Sequence, residues 1–147
     1  DIRLAYRFLD VQKDFKVGML SKPLLAQNKG FVNLSYETKK NDNGGQWKFD
    51  VTSQLVGKQR IPSTGLNPSE FIVPSKSPSY LLLSTQITKV FSKKFEFYIG
   101  GENLTNFIQN NPIIQAENPY GDYFDSSLIW APVFGRMVYG GLRWTIE

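Results

Sequence analysis

Cysteine and histidine are both absent from this chain of 147 residues. Their absence removes imidazole acid–base catalysis, thiol nucleophiles, disulfide bonds and the common zinc sites. No pair of carboxylates has a spacing that argues for glycosidase chemistry. We therefore predict that the chain is not an enzyme, and we predict no catalytic residue, no cofactor and no metal site.

Long apolar runs are missing as well. The longest lies around Leu81–Leu83, whereas a membrane-spanning helix needs about 20 consecutive apolar residues. The net charge of +4 comes from 17 basic residues that interleave with 13 acidic ones along the whole chain, which argues against nucleic acid as a partner. What the chain has instead is an aromatic content of 14%, mainly Tyr and Phe, as is typical of strands that face two different solvents.

Apolar and polar residues alternate with period two in about six segments, which predicts six strands that each have one apolar face. In the fourth segment Leu82 falls on the polar side, so its alternation is blurred. The apolar positions of the six segments are, in order, Ile2, Leu4, Tyr6 and Phe8; Val32, Leu34 and Tyr36; Trp47, Phe49 and Val51; Leu81, Leu83 and Ile87; Phe95, Phe97 and Ile99; and Val138, Leu142, Trp144 and Ile146.

Short and long links alternate between these segments. The short links are the turn-rich stretch Lys40–Gly45 and a few residues around Ser92 and Lys93. The long links run from Asp14 to about Gln27, from Gly57 to Ser77, and from Leu104 to about Phe134. Up-and-down barrels of outer membranes have short periplasmic turns and long extracellular loops, whereas a soluble domain rarely carries three long loops without regular structure. We therefore predict an all-β fold: an antiparallel, up-and-down transmembrane β-barrel segment of about six strands.

This strand direction places aromatic side chains where lipid headgroups would lie. Five of them fall on the lipid-facing parity beside the short turns: Tyr36, Trp47, Phe91, Phe95 and Trp144. Charged side chains are assigned to the lumen, where we expect them to pair across strands or contact a plug, or else to line a substrate path. They are Lys48, Asp50, Glu96, Arg136 and Arg143.

Six strands leave two open edges, and about eight are needed to close a membrane barrel. An unpaired backbone group in hydrocarbon costs several kcal/mol, so an open sheet of six strands would not span a bilayer alone. We therefore expect pairing with strands outside these 147 residues, from an upstream part of the same polypeptide or from copies of the chain.

Several runs resemble the end of TonB-dependent receptors of Bacteroidetes-type bacteria. The resemblance spans essentially the whole chain and is most specific in its second half. It is carried by Gly100–Asn106, Asn111–Ile114, Asn118-Pro119, Tyr123–Asp125 and Gly135-Arg136 through Trp144, and upstream by Trp47, Phe49, Asp50 and Thr52 followed by Gly57–Pro62.

The resemblance implies that residues 1–147 are the C-terminal portion of a receptor barrel of about 22 strands around an N-terminal plug. Such receptors lie in the outer membrane of Gram-negative bacteria and import metal chelates, vitamins or glycans with energy relayed by TonB. The implied partners are outer-membrane lipid, the upstream strands and plug, TonB through the plug region, and the barrel-assembly machinery. The assembly signal would be Gly140, Leu142, Trp144 and Ile146, because Glu147 stands where such barrels usually end on an aromatic residue.

The last long link combines aromatic and acidic residues that are candidates for binding a sugar or chelate at the outer mouth. They are Tyr120, Asp122, Tyr123, Phe124, Asp125 and Trp130. The favoured alternative is that the loops pack on one another. The run Asn103-Leu104-Thr105 matches a glycosylation acceptor, but we predict a structural turn in which Asn103 and Asn106 bond to local backbone.

Two other classes of protein fit the strand pattern. One is a soluble β-sandwich that binds a ligand without catalysis, in which a second layer would cover the apolar face. The other is a small barrel that assembles edge to edge from copies of the chain.

Overall fold

The computed structural model describes residues 1–146, so Glu147 lies outside the described residues. These 146 residues contain strands and one 3-10 turn at Ser69–Phe71, but no α-helix. None of their helical turns is long and apolar enough to cross a membrane. The strands are β1 (Ile2–Phe8), β2 (Gln12–Phe15), β3 (Gly18–Ser21), β4 (Asn28–Glu37), β5 (Gln46–Val56), β6 (Tyr80–Ser92), β7 (Phe95–Glu102) and β8 (Met137–Trp144).

Six strands form one antiparallel sheet in the order β1-β4-β5-β6-β7-β8. These are the six segments with period-two alternation, so the prediction of an all-β, antiparallel fold with about six sequential strands is confirmed. The sheet is not closed: within residues 1–146, β1 pairs with β4 alone and β8 with β7 alone. Two edges therefore remain open.

The two short links make tight turns at one end of this sheet, which we call the turn end. In the β4–β5 link the side chain of Asn41 accepts a hydrogen bond from the backbone N–H of Gly45 (2.6 Å), and Gly44 adopts a positive φ of 80°. A positive φ is accessible to glycine without steric cost, which explains why this position suits it. The β6–β7 link comprises only Lys93 and Lys94.

The three long links meet at the opposite end, which we call the loop end. The first of them is not without regular structure, because β2 and β3 form a hairpin around Lys16 and Val17. The sequence prediction missed it, since this pair is not one of the Asn-Gly or Asp-Gly turns that identify hairpins and each strand has only four residues.

The buried hydrophobic side chains lie at the loop end. One cluster contains Ala26, Val56 and Tyr80, and the other contains Ile61, Ile114 and Leu128. Trp130 packs against both. Leu82, the residue that blurred the alternation of β6, packs on the first cluster, so its apolar side chain on the otherwise polar face meets the folded loops.

Candidate functional site

The alternating apolar residues lie on one face of the six-stranded sheet, which we call the apolar face. Residues directly opposite one another on paired strands share a face, and Phe49, Ile87 and Ile99 form such a row across β5, β6 and β7. This face is exposed: Leu142 keeps 68% and Phe97 41% of its surface. Every contact between strands occurs within a sheet, so no strand among residues 1–146 packs across it. The apolar face is thus unpartnered within the described chain.

Aromatic rings border the apolar face at the turn end. On β4 and β5, the ring of Phe49 stacks with those of Tyr36 (6.3 Å between centroids) and Trp47 (6.2 Å). The ammonium group of Lys89 lies 4.6 Å from the centre of the Trp47 ring, within cation–π range.

A second aromatic group continues this border on the last three strands. The ring of Phe95 on β7 lies 5.4 Å from Phe91 on β6 and 5.5 Å from Trp144 on β8. The structure thus brings all five residues of the expected aromatic border to the same end and face of the sheet. Of the four residues of the expected assembly signal, Gly140, Leu142 and Trp144 lie on β8, whereas Ile146 follows the strand and is exposed.

The opposite, polar face carries hydrogen bonds between strands. The amide of buried Asn33 donates to both carboxylate oxygens of Asp50 at 3.0 Å and to the hydroxyl of Thr52 at 2.9 Å. Asp50, one of the residues that the sequence assigns to the lumen, thus connects β5 to β4 on the polar face. Its carboxylate is held by neighbouring polar groups, as expected for a charged residue on a half-buried face.

Two ion pairs lie on the same face near the turn end. The ammonium group of Lys48 is 3.6 Å from the carboxylate of Glu37, and Arg143 pairs with Glu96. Both pairs join directly opposed residues on neighbouring strands. Arg136 is different: it lies one residue before β8, and Arg143 is seven positions further along, an odd step, so strand periodicity does not place both on one face.

Tyrosine and glycine alternate across β7 and β8 on the polar face. Tyr98 is opposite Gly141, and Gly100 is opposite Tyr139. A Cβ added to Gly100 would lie 2.5 Å from Cζ of Tyr139, and one added to Gly141 would lie 2.6 Å from Cζ of Tyr98. Each tyrosine ring therefore occupies the space that its glycine partner leaves empty, as when an aromatic ring covers a strand glycine.

Gln109 connects the last long link to itself. Its buried side chain donates to the carbonyl of Leu128 (3.0 Å) and accepts hydrogen bonds from the N–H groups of Trp130 (2.8 Å) and Ala131 (3.2 Å). Its backbone N–H donates to the carbonyl of Pro132 at 2.8 Å. The side-chain amide of Gln109 thus bonds to backbone groups of residues 128–131, as a neighbouring strand would otherwise do.

Gln59 connects the second long link to the third. Its side chain donates to the carbonyl of Trp130 (2.9 Å), and the hydroxyl of Tyr80 donates to the same oxygen (3.1 Å). Its backbone N–H and carbonyl both bond to Ser77, each at 2.9 Å. These bonds close the loop end over the polar face of the sheet.

Asn103 and Asn106 follow β7 with positive φ angles of 49° and 54°. As predicted, Asn103 bonds to local backbone, because its side chain accepts from the N–H of Phe107 and donates to the carbonyl of the same residue. It also donates to the distant carbonyl of Phe134 at 3.1 Å. The backbone N–H of Asn106 donates to the carbonyl of Asn103 at 2.8 Å, and its side chain accepts from the N–H of the distant Arg136.

The six candidate ligand contacts in the last link do not form one site. Trp130 is half-buried in the loop core, the ring of Tyr123 stacks on Phe71 at 5.5 Å, and the carboxylate of Asp125 accepts from the N–H of Ser127 at 2.7 Å. Tyr120, Asp122 and Phe124 are exposed. Within the described chain, no group of three or more carboxylates is placed to hold a metal ion.

A cleft of about 410 Å³ lies between the second and third links. Trp130 is the only one of the six candidates that lines it, beside Gln109, Ile114, Phe107 and Lys76. No local sequence pattern indicates this cleft, because its walls come from links that are distant in the chain.

In comparisons with known proteins, no family model, no curated protein and no solved structure matches this chain. The functional argument therefore depends on the geometry described above.

Proposed function

We propose that the chain forms part of the wall and the outer loops of a TonB-dependent receptor in the outer membrane of a Gram-negative bacterium. Such a receptor imports a large or scarce nutrient, such as a metal chelate, a vitamin or a glycan. The observation that carries the proposal is the exposed apolar face with its aromatic border at the turn end. Lipid tails would cover this face, and the aromatic rings would lie at the headgroups.

The polar face supports the same arrangement. Its carboxylates and cations pair across strands, and its apolar residues Val56, Tyr80 and Leu82 lie where the long links fold over it. In the proposed receptor these links close part of the outer mouth, while the polar strands line the lumen. Strands that complete the barrel would pair with the open edges of β1 and β8.

A soluble β-sandwich remains the alternative function class. It requires a second layer on the apolar face, and neither the hairpin β2–β3 nor the buried loop clusters supply one within residues 1–146. The side that the long links do cover is the polar one. The distribution of buried residues therefore favours the membrane proposal over the sandwich.

The first test places a charge on each face of β5. In the complete polypeptide that the gene encodes, Val51→Arg on the apolar face should destabilise the bilayer-folded state by about 2–4 kcal/mol, because arginine would enter hydrocarbon. Gln54→Arg, on the exposed polar face of the same strand, is the matched control and should fold like the unchanged protein. Folding into lipid vesicles is followed by heat-dependent gel mobility. Equal folding of both variants would contradict the proposal.

The second test determines which end of the sheet is outside. Because the chain has no cysteine, single substitutions give unambiguous labelling sites. In intact cells, a membrane-impermeant maleimide should label Leu66→Cys in the fully exposed tip of the second long link but should not label Asn43→Cys in the β4–β5 turn. Labelling of Asn43→Cys alone would mean that the turn end, and not the loop end, is outside. If neither cysteine is labelled, before or after the cells are permeabilised, the expected exposure of both positions would be contradicted.

A further inference from the structure

A furrow crosses the apolar face near the loop end, at the position of Gly30. Gly30 on β4 lies directly between Tyr6 on β1 and Leu55 on β5, so the row of side chains is interrupted there. A Cβ added to Gly30 would meet only the Cβ of Leu55, at 3.7 Å, which is ordinary contact. The furrow is therefore open, and it is lined by apolar groups that include Leu4 and Val32.

The furrow leads into a groove of about 500 Å³ at the loop end. Tyr6, Gly30 and Leu55 line both, so the two are continuous. The groove also contains three cations, Lys58, Arg60 and Lys76, and no acidic residue lines it. One continuous depression thus joins an apolar half to a cationic half.

The backbone places two of these cationic residues opposite each other. Arg60 and Lys76 form an antiparallel bridge, so they are directly opposed. Like charges at such positions destabilise the pairing. Arg60 is also fixed in place, because its Nη1 donates to the carbonyl of Ser21 at 3.1 Å and its guanidinium lies 4.9 Å from the ring of Phe15. An anion between the opposed side chains would relieve this repulsion.

We propose that this depression binds an anionic, phosphate-bearing lipid of the surrounding leaflet, with the phosphate at Lys58, Arg60 and Lys76 and an acyl chain in the furrow beside Gly30. Phosphate is a ligand that arginine and lysine recognise, and basic residues at a membrane surface attract anionic lipid. The inference depends on the proposed function, because acyl chains would reach the furrow beside Gly30 only if lipid covers the apolar face. It commits to lipid as the occupant because the apolar furrow continues directly from the cationic groove.

The charge test neutralises the two exposed lysines of the groove. The complete polypeptide is placed in nanodiscs that contain phosphatidylcholine and phosphatidylglycerol with identical acyl chains, and retained lipid is counted by native mass spectrometry. The unchanged protein should prefer phosphatidylglycerol, and K58Q/K76Q should reduce this preference roughly tenfold or more. The control K16Q/K22Q removes the same charge from exposed residues of the same end that do not line the groove, and it should leave the preference unchanged.

The acyl-chain test fills the furrow without changing charge. Gly30→Val is compatible with a strand and meets no close atom, so the protein should fold while its retention of phosphatidylglycerol falls several-fold. Inorganic phosphate serves as the competing probe. If phosphate alone displaces phosphatidylglycerol at an equal concentration, the furrow contributes nothing and the site is one for free phosphate, which would overturn the lipid proposal.

Failure of this inference is distinguishable from failure of the proposed function. Insertion of all variants with equal retention of the two lipids would overturn the lipid site and leave the membrane proposal intact. Failure of the unchanged protein to insert into any bilayer would overturn both. An equal loss of preference in K16Q/K22Q would replace the specific groove with general surface charge and would also overturn the inference.

Discussion

The loop end and the turn end of the sheet differ in what surrounds their apolar residues. At the loop end, long links bury Ile61, Ile114 and Leu128 inside the described chain. At the turn end, Tyr36 and Trp144 keep 65% and 70% of their surface exposed although they belong to aromatic groups. Apolar burial within this chain therefore comes from loops that pack on one another and on the strand ends at Val56 and Tyr80, whereas the apolar face stays exposed.

This difference predicts two kinds of stability. The loop end should depend on side chains of the chain itself, because its apolar and polar groups find their partners there. The sheet should depend on its environment, because burial of apolar area provides the main driving force for folding and the apolar face has no partner among residues 1–146. Three substitutions test the contrast, in order of decreasing effect.

The largest effect is expected from Trp130→Ala. This side chain joins the two buried clusters, and removal of a large aromatic from a core costs about 3–5 kcal/mol. Hydrogen exchange of residues 57–79 and 103–136 should accelerate, whereas exchange in β4 and β5 near their short turn should not. Tyr120→Ala, at a fully exposed position of the same link, is the control and should change neither. Equal acceleration at both ends would remove the distinction between them.

A smaller effect is expected from Gln109→Leu. The substitution leaves the carbonyl of Leu128 and the N–H groups of Trp130 and Ala131 without their side-chain partner, and an unsatisfied buried group costs about 1–3 kcal/mol. Limited proteolysis should cut the third link faster while the sheet remains protected. Asn110→Leu, which changes the exposed neighbouring residue, is the control, and the protease should cut its third link at the same rate as in the unchanged protein. An unchanged rate in Gln109→Leu would mean that apolar packing alone holds the link.

The smallest effect is expected from Glu96→Gln at the turn end. Its partner Arg143 has 70% of its side chain exposed, and exposed ion pairs contribute about 0.2–1 kcal/mol. Thermal unfolding in detergent at low and high salt should differ little from that of the unchanged protein. Glu117→Gln, an exposed acid of the third link, provides a matched loss of one charge. A loss of stability well above this range would indicate that water is excluded from the polar face around this ion pair.

The sheet could be predicted from the sequence because strand alternation is a local signal. Each strand needs only its own residues to reveal its two faces, and the alternation of link lengths then orders the strands. Specific cross-strand partners such as Glu96 and Arg143 become identifiable only once the register of the neighbouring strands is known. The sequence prediction also missed the hairpin β2–β3, whose signal is Gly18, the glycine with a positive φ of 106° that directly follows the Lys16-Val17 turn.

The loop end could not be predicted in the same way. Gln59 and the carbonyl it bonds to are 71 residues apart, and nothing near either residue indicates the other. Trp130 is a candidate ligand contact because the last long link combines aromatic and acidic residues, yet in the structure it packs between two clusters. Loop packing depends on many weak, distant contacts, so composition alone does not distinguish a binding residue from a core residue.

The paired tyrosines and glycines of β7 and β8 have a consequence for how the two strands align. Sliding one strand by a single residue would turn its apolar side chains to the wrong face, but sliding by two would preserve both faces, so apolar burial cannot prevent it. Such a shift would remove Tyr139 from the recess at Gly100 and bring it opposite Tyr98 or Glu102, where no recess exists. The two glycines therefore favour one alignment of β7 and β8 among the alignments that the alternation of polar and apolar side chains allows.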